Sequence, residues 1–185
     1  MQKYFEEDIR SMNITGWSAA ENDLAESFAL AAQRLIDALR RKNRILVCGN
    51  GGSAADAEHL AGELVGRFGY DRASLPGISL CTPSATFTAI ANDYGYEQVF
   101  KRQVQGLGSA GDVLIGISTS GNSANIVEAF TAAKTMQITT IAMTGSRDSK
   151  LSQIADITLR SPSTQTPRIQ EIHGLLVHSL CRAIE

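Results

Sequence analysis

The 185-residue chain has no run of about 18 apolar residues, the length that a membrane-spanning helix needs. It also lacks an excess of positive charge. Its formal net charge is −2, so no global field draws in nucleic acid or an anionic membrane. Cysteine is scarce: Cys48, Cys81 and Cys181 are odd in number, far apart and outside any metal-binding spacing. That argues against a disulfide framework and predicts reduced thiols filling the core of a cytoplasmic protein. The opening residues, Met1-Gln2-Lys3-Tyr4-Phe5-Glu6-Glu7-Asp8, are acidic and carry no apolar signal, so a soluble chain without targeting is expected. No internal repeat, low-complexity tract or linker breaks the chain. The spacing of a nucleotide P-loop is missing, as is Gly-x-Gly-x-x-Gly, which disfavours ATP and NAD. A small soluble partner is left as the default.

What is present suffices for one domain. With 43% hydrophobic and 19% charged residues, the chain can bury a sizeable core over 1–185, divided into a helical region at 1–42 and an α/β core at 43–185. Leu24, Phe28, Ala31, Leu35, Ile36 and Leu39 recur at helical spacing and predict a helix over 21–39. The cations Arg40, Arg41 and Lys42 that follow complement its dipole and carry no function. An earlier helix is expected over 2–12, with Trp17 packed into the core. Beyond residue 44 short apolar runs alternate with helical segments. Strands are expected at 45–48, 77–80, 113–118, 139–144 and 157–159, and helices at 54–65, 86–91, 124–134, 151–154 and 168–184. Strands apolar throughout are buried on both faces, so the expected fold is a doubly wound, five-stranded parallel sheet flanked by helices.

Two loops carry the chemistry. After the third strand, Ser118-Thr119-Ser120-Gly121-Asn122-Ser123 crowds hydroxyls around a helix start, where free N–H groups and the dipole attract an anion. A sugar monophosphate suits it; an ordinary Ser/Asn cap is the plain alternative. After the first strand, Gly49-Asn50-Gly51-Gly52-Ser53 likewise precedes a helix. Its glycines permit close backbone approach, and Asn50 and Ser53 can reach sugar hydroxyls; a tight turn with a serine cap is the alternative. Both loops lie at strand C-termini, where open α/β sheets collect ligands.

Three segments, Cys48-Gly49-Asn50-Gly51-Gly52-Ser53, the run from Gly116 to Ser123, and Arg168-Ile169-Gln170-Glu171-Ile172-His173, resemble the sugar isomerase (SIS) domain, specifically bacterial phosphoheptose isomerases. The resemblance covers nearly the whole chain in the same order. It implies conversion of sedoheptulose 7-phosphate to D-glycero-D-manno-heptose 7-phosphate, feeding the heptose of lipopolysaccharide core or related glycans. It also implies a cytoplasmic homotetramer, with N-terminal helices for oligomerisation and zinc, one ion per subunit. Carried onto this sequence, substrate contacts fall on Asn50, Gly51, Gly52, Ser53, Glu63, Asn92, Asp93, Ser118, Thr119, Ser120, Ser123 and Gln170. Metal ligands fall on His59, Glu63, Gln170 and His178, and the acid/base pair on Glu63 and His178.

The residues can also be read physically. His59 and Glu63 stand four apart on one helix face and can share a ligand or an ion. Aldose-ketose isomerisation needs a base for a carbon-bound proton beside a carbonyl and an acid for the enediol oxygens, which a carboxylate and an imidazole supply. Gln170 and His178 stand eight apart, about 12 Å along a helix and roughly 80° around it. One chain barely brings both to one point, so either the helix bends or two subunits share the site. His173 reads as a hydrogen-bonded structural histidine. Two other readings stay open: a non-catalytic SIS protein that binds a sugar phosphate or the replication initiator, and an isomerase of hexulose or amino-sugar phosphates.

Overall fold

In the computed structural model, backbone is described for residues 17–185 and side chains from residue 24. The helix expected over 2–12 and the packing of Trp17 lie outside the described residues. Helix α1 (Trp17–Arg40) leads into β1 (Ile45–Gly49), α2 (Gly52–Val65), β2 (Gly77–Ser79) and α3 (Ser84–Tyr94). A single 3-10 turn (Tyr96–Gln98) then precedes α4 (Val99–Leu107), β3 (Val113–Ile117) and α5 (Ala124–Thr135). The chain ends with β4 (Thr139–Thr144), α6 (Lys150–Ile154), β5 (Ile157–Arg160) and α7 (Thr166–Ile184).

All five strands pair in parallel, in the order β2-β1-β3-β4-β5. The strands are apolar on both faces because helices cover both faces. Ile45, Val47, Ile115, Ile117, Ile141 and Met143 point to a core shared with α1, α2 and α7. Their neighbours Leu46, Cys48, Leu114 and Ala142 point to the opposite core, built with α3, α4, α5 and α6. Each fully buried large aliphatic side chain, such as Leu35 or Ile115, contributes about 1.5–3 kcal/mol. All three cysteines are free, with Cys48 and Cys181 buried. Burial pushes the Cys181 thiol up to about 12, so it packs as a small apolar group.

Several boundaries shift by a few residues, and a 3-10 turn and a helix are added. Helix α2 starts at Gly52 rather than 54, and α3 spans 84–94 rather than 86–91. Helix α7 starts at Thr166, so Pro167 lies in its first turn, where no N–H is missed. The segment Val99–Leu107 is helical although no helix is predicted there; Val99, Phe100 and Val104 are its buried stripe.

Candidate active site

The sheet order reverses direction between β1 and β3, and both expected loops open at that point. In a 2-1-3-4-5 sheet this crevice is where ligands collect. In the loop after β3 the Ser118 hydroxyl is 2.9 Å from that of Ser123 and 3.5 Å from that of Ser120. It also accepts from the N–H of Gly121, while the Ser120 hydroxyl accepts from that of Asn122. Ser123 precedes α5 without making a side-chain cap bond. The ordinary side-chain cap is thus not made: the N–H groups of Ile126 and Val127 donate to the Ser123 carbonyl, and the Ser123 hydroxyl stays within the loop. Gly121 has a φ of +64°, and a Cβ there would lie 2.1 Å from the Ser149 hydroxyl, so glycine is required.

The loop after β1 behaves alike. Helix α2 starts without a side-chain cap, and Ser53 is buried inside its first turn. Asn50 and Asn125 exchange two hydrogen bonds, of 3.0 and 2.9 Å, and thereby tie the two loops together. The Tyr96 hydroxyl donates to the same Asn50 Oδ1 at 2.9 Å. Asn92 and Asp93 are exposed near the end of α3, with the Asn92 amide donating to the Asp93 carboxylate at 2.8 Å. Thr119 and Ser120 also line a cavity of about 210 Å³ with Ser146, Arg147 and Ser163.

Helices α2 and α7 run side by side in the same direction. Gln170 faces the start of α2, where a Cβ on Gly52 would lie 2.4 Å from Gln170 Nε2. Two turns on, the His178 ring meets the His59 ring edge-on, with centroids 5.0 Å apart. Phe68 lies against His178 from the other side, at 5.7 Å. His59 Nε2 is 3.2 Å from Glu63 Oε1. Gln170 and His178 both face α2, but the eight residues between them carry them to different points along it, Gly52 and His59.

Two imidazoles and a carboxylate thus gather on facing helices, donors of the type that binds zinc. Among the described residues no three His, Cys, Asp or Glu side chains are arranged to hold an ion as they stand. The Glu63 carboxylate is instead engaged by His59. One turn earlier, burial raises the Asp56 carboxyl above its ordinary range, an effect that the nearby His59 partly offsets. Asp56 Oδ2 is buried and has no hydrogen-bond partner among the described residues. Nothing in the linear pattern singles out Tyr96, Asn125 or Arg147, because each joins the site only through tertiary packing, whereas Asp56 stands at helical spacing from His59 and was missed.

The SIS domain family model matches residues 11–145. A phosphoheptose isomerase from Sulfurimonas denitrificans is 46% identical over 186 residues, covering 100% of this chain and 95% of the relative. The chain belongs to the phosphoheptose isomerase family. Another family member, from Helicobacter pylori strain P12, is 50% identical over 162 residues, covering 88% of this chain and 84% of the relative. The solved phosphoheptose isomerase GmhA of Neisseria gonorrhoeae superposes with a TM-score of 0.92 at 42% identity, covering 99% of this chain and 97% of that one. The phosphoheptose isomerase frame thus extends over both loops and over α2 and α7, the elements that carry the candidate residues.

Proposed function

We propose that this chain converts sedoheptulose 7-phosphate to D-glycero-D-manno-heptose 7-phosphate, a step that supplies heptose to lipopolysaccharide core or a related glycan. The observation that carries this reading is the meeting of Glu63 and His59, on the helix that leaves the glycine loop, with His178 of α7, through the bond of 3.2 Å and the ring contact of 5.0 Å. The phosphate is held by the N-terminus of α5 and by Ser118, Thr119, Ser120 and Ser123. Asn50, Gly51, Gly52, Ser53, Asn92, Asp93 and Gln170 bind the sugar.

Glu63 takes the proton from the carbon beside the carbonyl, and the carbonyl oxygen is protonated in return, which gives a neutral enediol. His178 carries the proton to and from the oxygens. Return of the carbon proton to the neighbouring carbon completes the isomerisation, with no net gain or loss of atoms. His59 orients Glu63 through their hydrogen bond. One zinc ion per subunit is proposed; His59, Glu63, Gln170 and His178 would hold it, and it would supply positive charge to the substrate oxygens.

The active unit is an oligomer, a homotetramer with sites near subunit interfaces. His59 and Glu63 lie seven and eleven residues beyond Gly52, about 10 and 16 Å along α2. A phosphate at one chain's α5 therefore suits catalytic groups brought by a second copy.

Glu63→Gln tests the assignment: turnover of sedoheptulose 7-phosphate falls by more than about 100-fold, while calorimetry still detects binding of the sugar phosphate. Unchanged turnover rejects Glu63 as the base. The same assay with a chelator reads the metal, and with C6 ketose phosphates reads the sugar. Capture of the replication initiator without any turnover replaces the enzyme with the non-catalytic reading.

A further inference from the structure

Asn50 is held by two residues that are themselves no part of the proposed chemistry. A side-chain amide has two N–H donors and one oxygen with two lone pairs. Asn50 Oδ1 accepts from Asn125 Nδ2 and from the Tyr96 hydroxyl, both at 2.9 Å, so both lone pairs are taken. Asn50 Nδ2 donates one hydrogen to Asn125 Oδ1 at 3.0 Å, which leaves one N–H. Turning the Asn50 amide over alone would set oxygen against oxygen and nitrogen against nitrogen in the pair with Asn125, and turning both over would put Nδ2 in place of the oxygen to which the Tyr96 hydroxyl donates. That pair is shielded, because Asn125 is only 3% exposed. Tyr96 is 52% exposed, but its ring is braced edge-on against Phe87 at 5.7 Å.

We infer that Tyr96 and Asn125 are positioning residues that lock the Asn50 amide in one orientation, so that Asn50 meets the substrate only as a donor, to an oxygen lone pair of the sugar chain. The inference rests on the proposed sugar-phosphate site. It assigns the polarity of one contact: a hydroxyl that can only donate finds no acceptor at Asn50, whereas any sugar oxygen with a free lone pair does. It also gives the stretch after Asn92 and Asp93 a purpose, since the 3-10 turn carries Tyr96 to the glycine loop.

Tyr96→Phe keeps the ring and removes only the hydroxyl. Expected is a rise of about 5-fold in KM for sedoheptulose 7-phosphate, the size of one ordinary hydrogen bond, with kcat and Tm unchanged. Asn50→Asp, which replaces the donor by an acceptor, raises KM by more than about 10-fold. Side-chain amide NMR supplies a readout independent of turnover. In the free protein one Asn50 Nδ2 proton exchanges slowly and the other fast; saturating sedoheptulose 7-phosphate slows the second, and Tyr96→Phe speeds both. Wild-type kinetics in Tyr96→Phe, or an Asn50 amide whose exchange ignores the sugar phosphate, overturns the inference. Binding without turnover in the wild type retires the isomerase reading alone, while turnover with an indifferent Asn50 amide retires this inference alone.

Discussion

His173 lies on α7 with its ring fully buried, Nε2–H donating to the Thr144 carbonyl at 3.3 Å and Nδ1 without a partner. Burial lowers it from the ordinary 6.5 to about 4, against a smaller opposing effect of the Thr144 bond, so it stays neutral in the folded protein. In the unfolded chain it titrates near its ordinary value. Between the two values only the unfolded chain takes up the proton. The contribution of His173 is therefore fully present above the unfolded value and is lost as pH falls from 6.5 towards 4. The full loss is at most about 3 kcal/mol. Thermal unfolding followed from pH 7 to pH 4.5 should show a steeper fall in Tm for the wild type than for His173→Phe. Equal slopes would remove His173 as an acid-sensitive group. Its burial and its bond to the Thr144 carbonyl agree with the reading of this histidine as hydrogen-bonded and structural.

The short helix α6 is the element that supports the phosphate loop. Its N–H groups at Lys150 and Leu151 donate to Asn122 Oδ1 and to the Gly121 carbonyl, each at 3.0 Å. The helix is held open at that end by a capping box, in which Ser149 and Ser152 accept from each other's N–H at 3.2 and 2.9 Å. Ser149→Ala removes one arm and costs about 1 kcal/mol. Because the loop binds rather than reacts, the expected kinetic change is a higher KM for the sugar phosphate with kcat retained. A denaturant titration and a Michaelis curve on the same preparation check both. A lower kcat at unchanged KM would mean that the loop does more than hold the phosphate.

At the scale of the whole molecule, α1, α2 and α7 cover one face of the sheet and leave Leu30, Val65 and Leu175 exposed at 47%, 51% and 48%. Large apolar side chains on one set of neighbouring helices suit association with a second copy. Specific activity measured while the protein is diluted, beside sedimentation at each concentration, should fall as the oligomer dissociates. A fully active monomer defeats the shared-site model. Among the described residues no helix is long and apolar enough to cross a membrane.

The parallel sheet was legible in the sequence because strands buried on both faces must be apolar throughout, and the two loops were legible because Gly, Ser and Asn cluster where helices begin. The i, i+4 spacing of His59 and Glu63 likewise follows from helical geometry alone. Helix α4 was missed: its buried residues Val99, Phe100, Gln103 and Val104 recur at helical spacing, but over only nine residues, and its packing is chiefly against α5. Which loop meets which is a matter of sheet order. Asn50 and Asn125 stand 75 positions apart and meet only because β1 and β3 pair. Tyr96 joins them only through the turn that follows α3. Local periodicity determines elements, whereas contacts between distant residues exist only once the elements are packed. The sequence by itself thus determined the sheet, the two loops rich in Gly, Ser and Asn, and the candidate pair. Only the tertiary structure decided that Gln170 meets the start of α2 while His178 meets its middle, and that Asn50 has a single N–H left to offer.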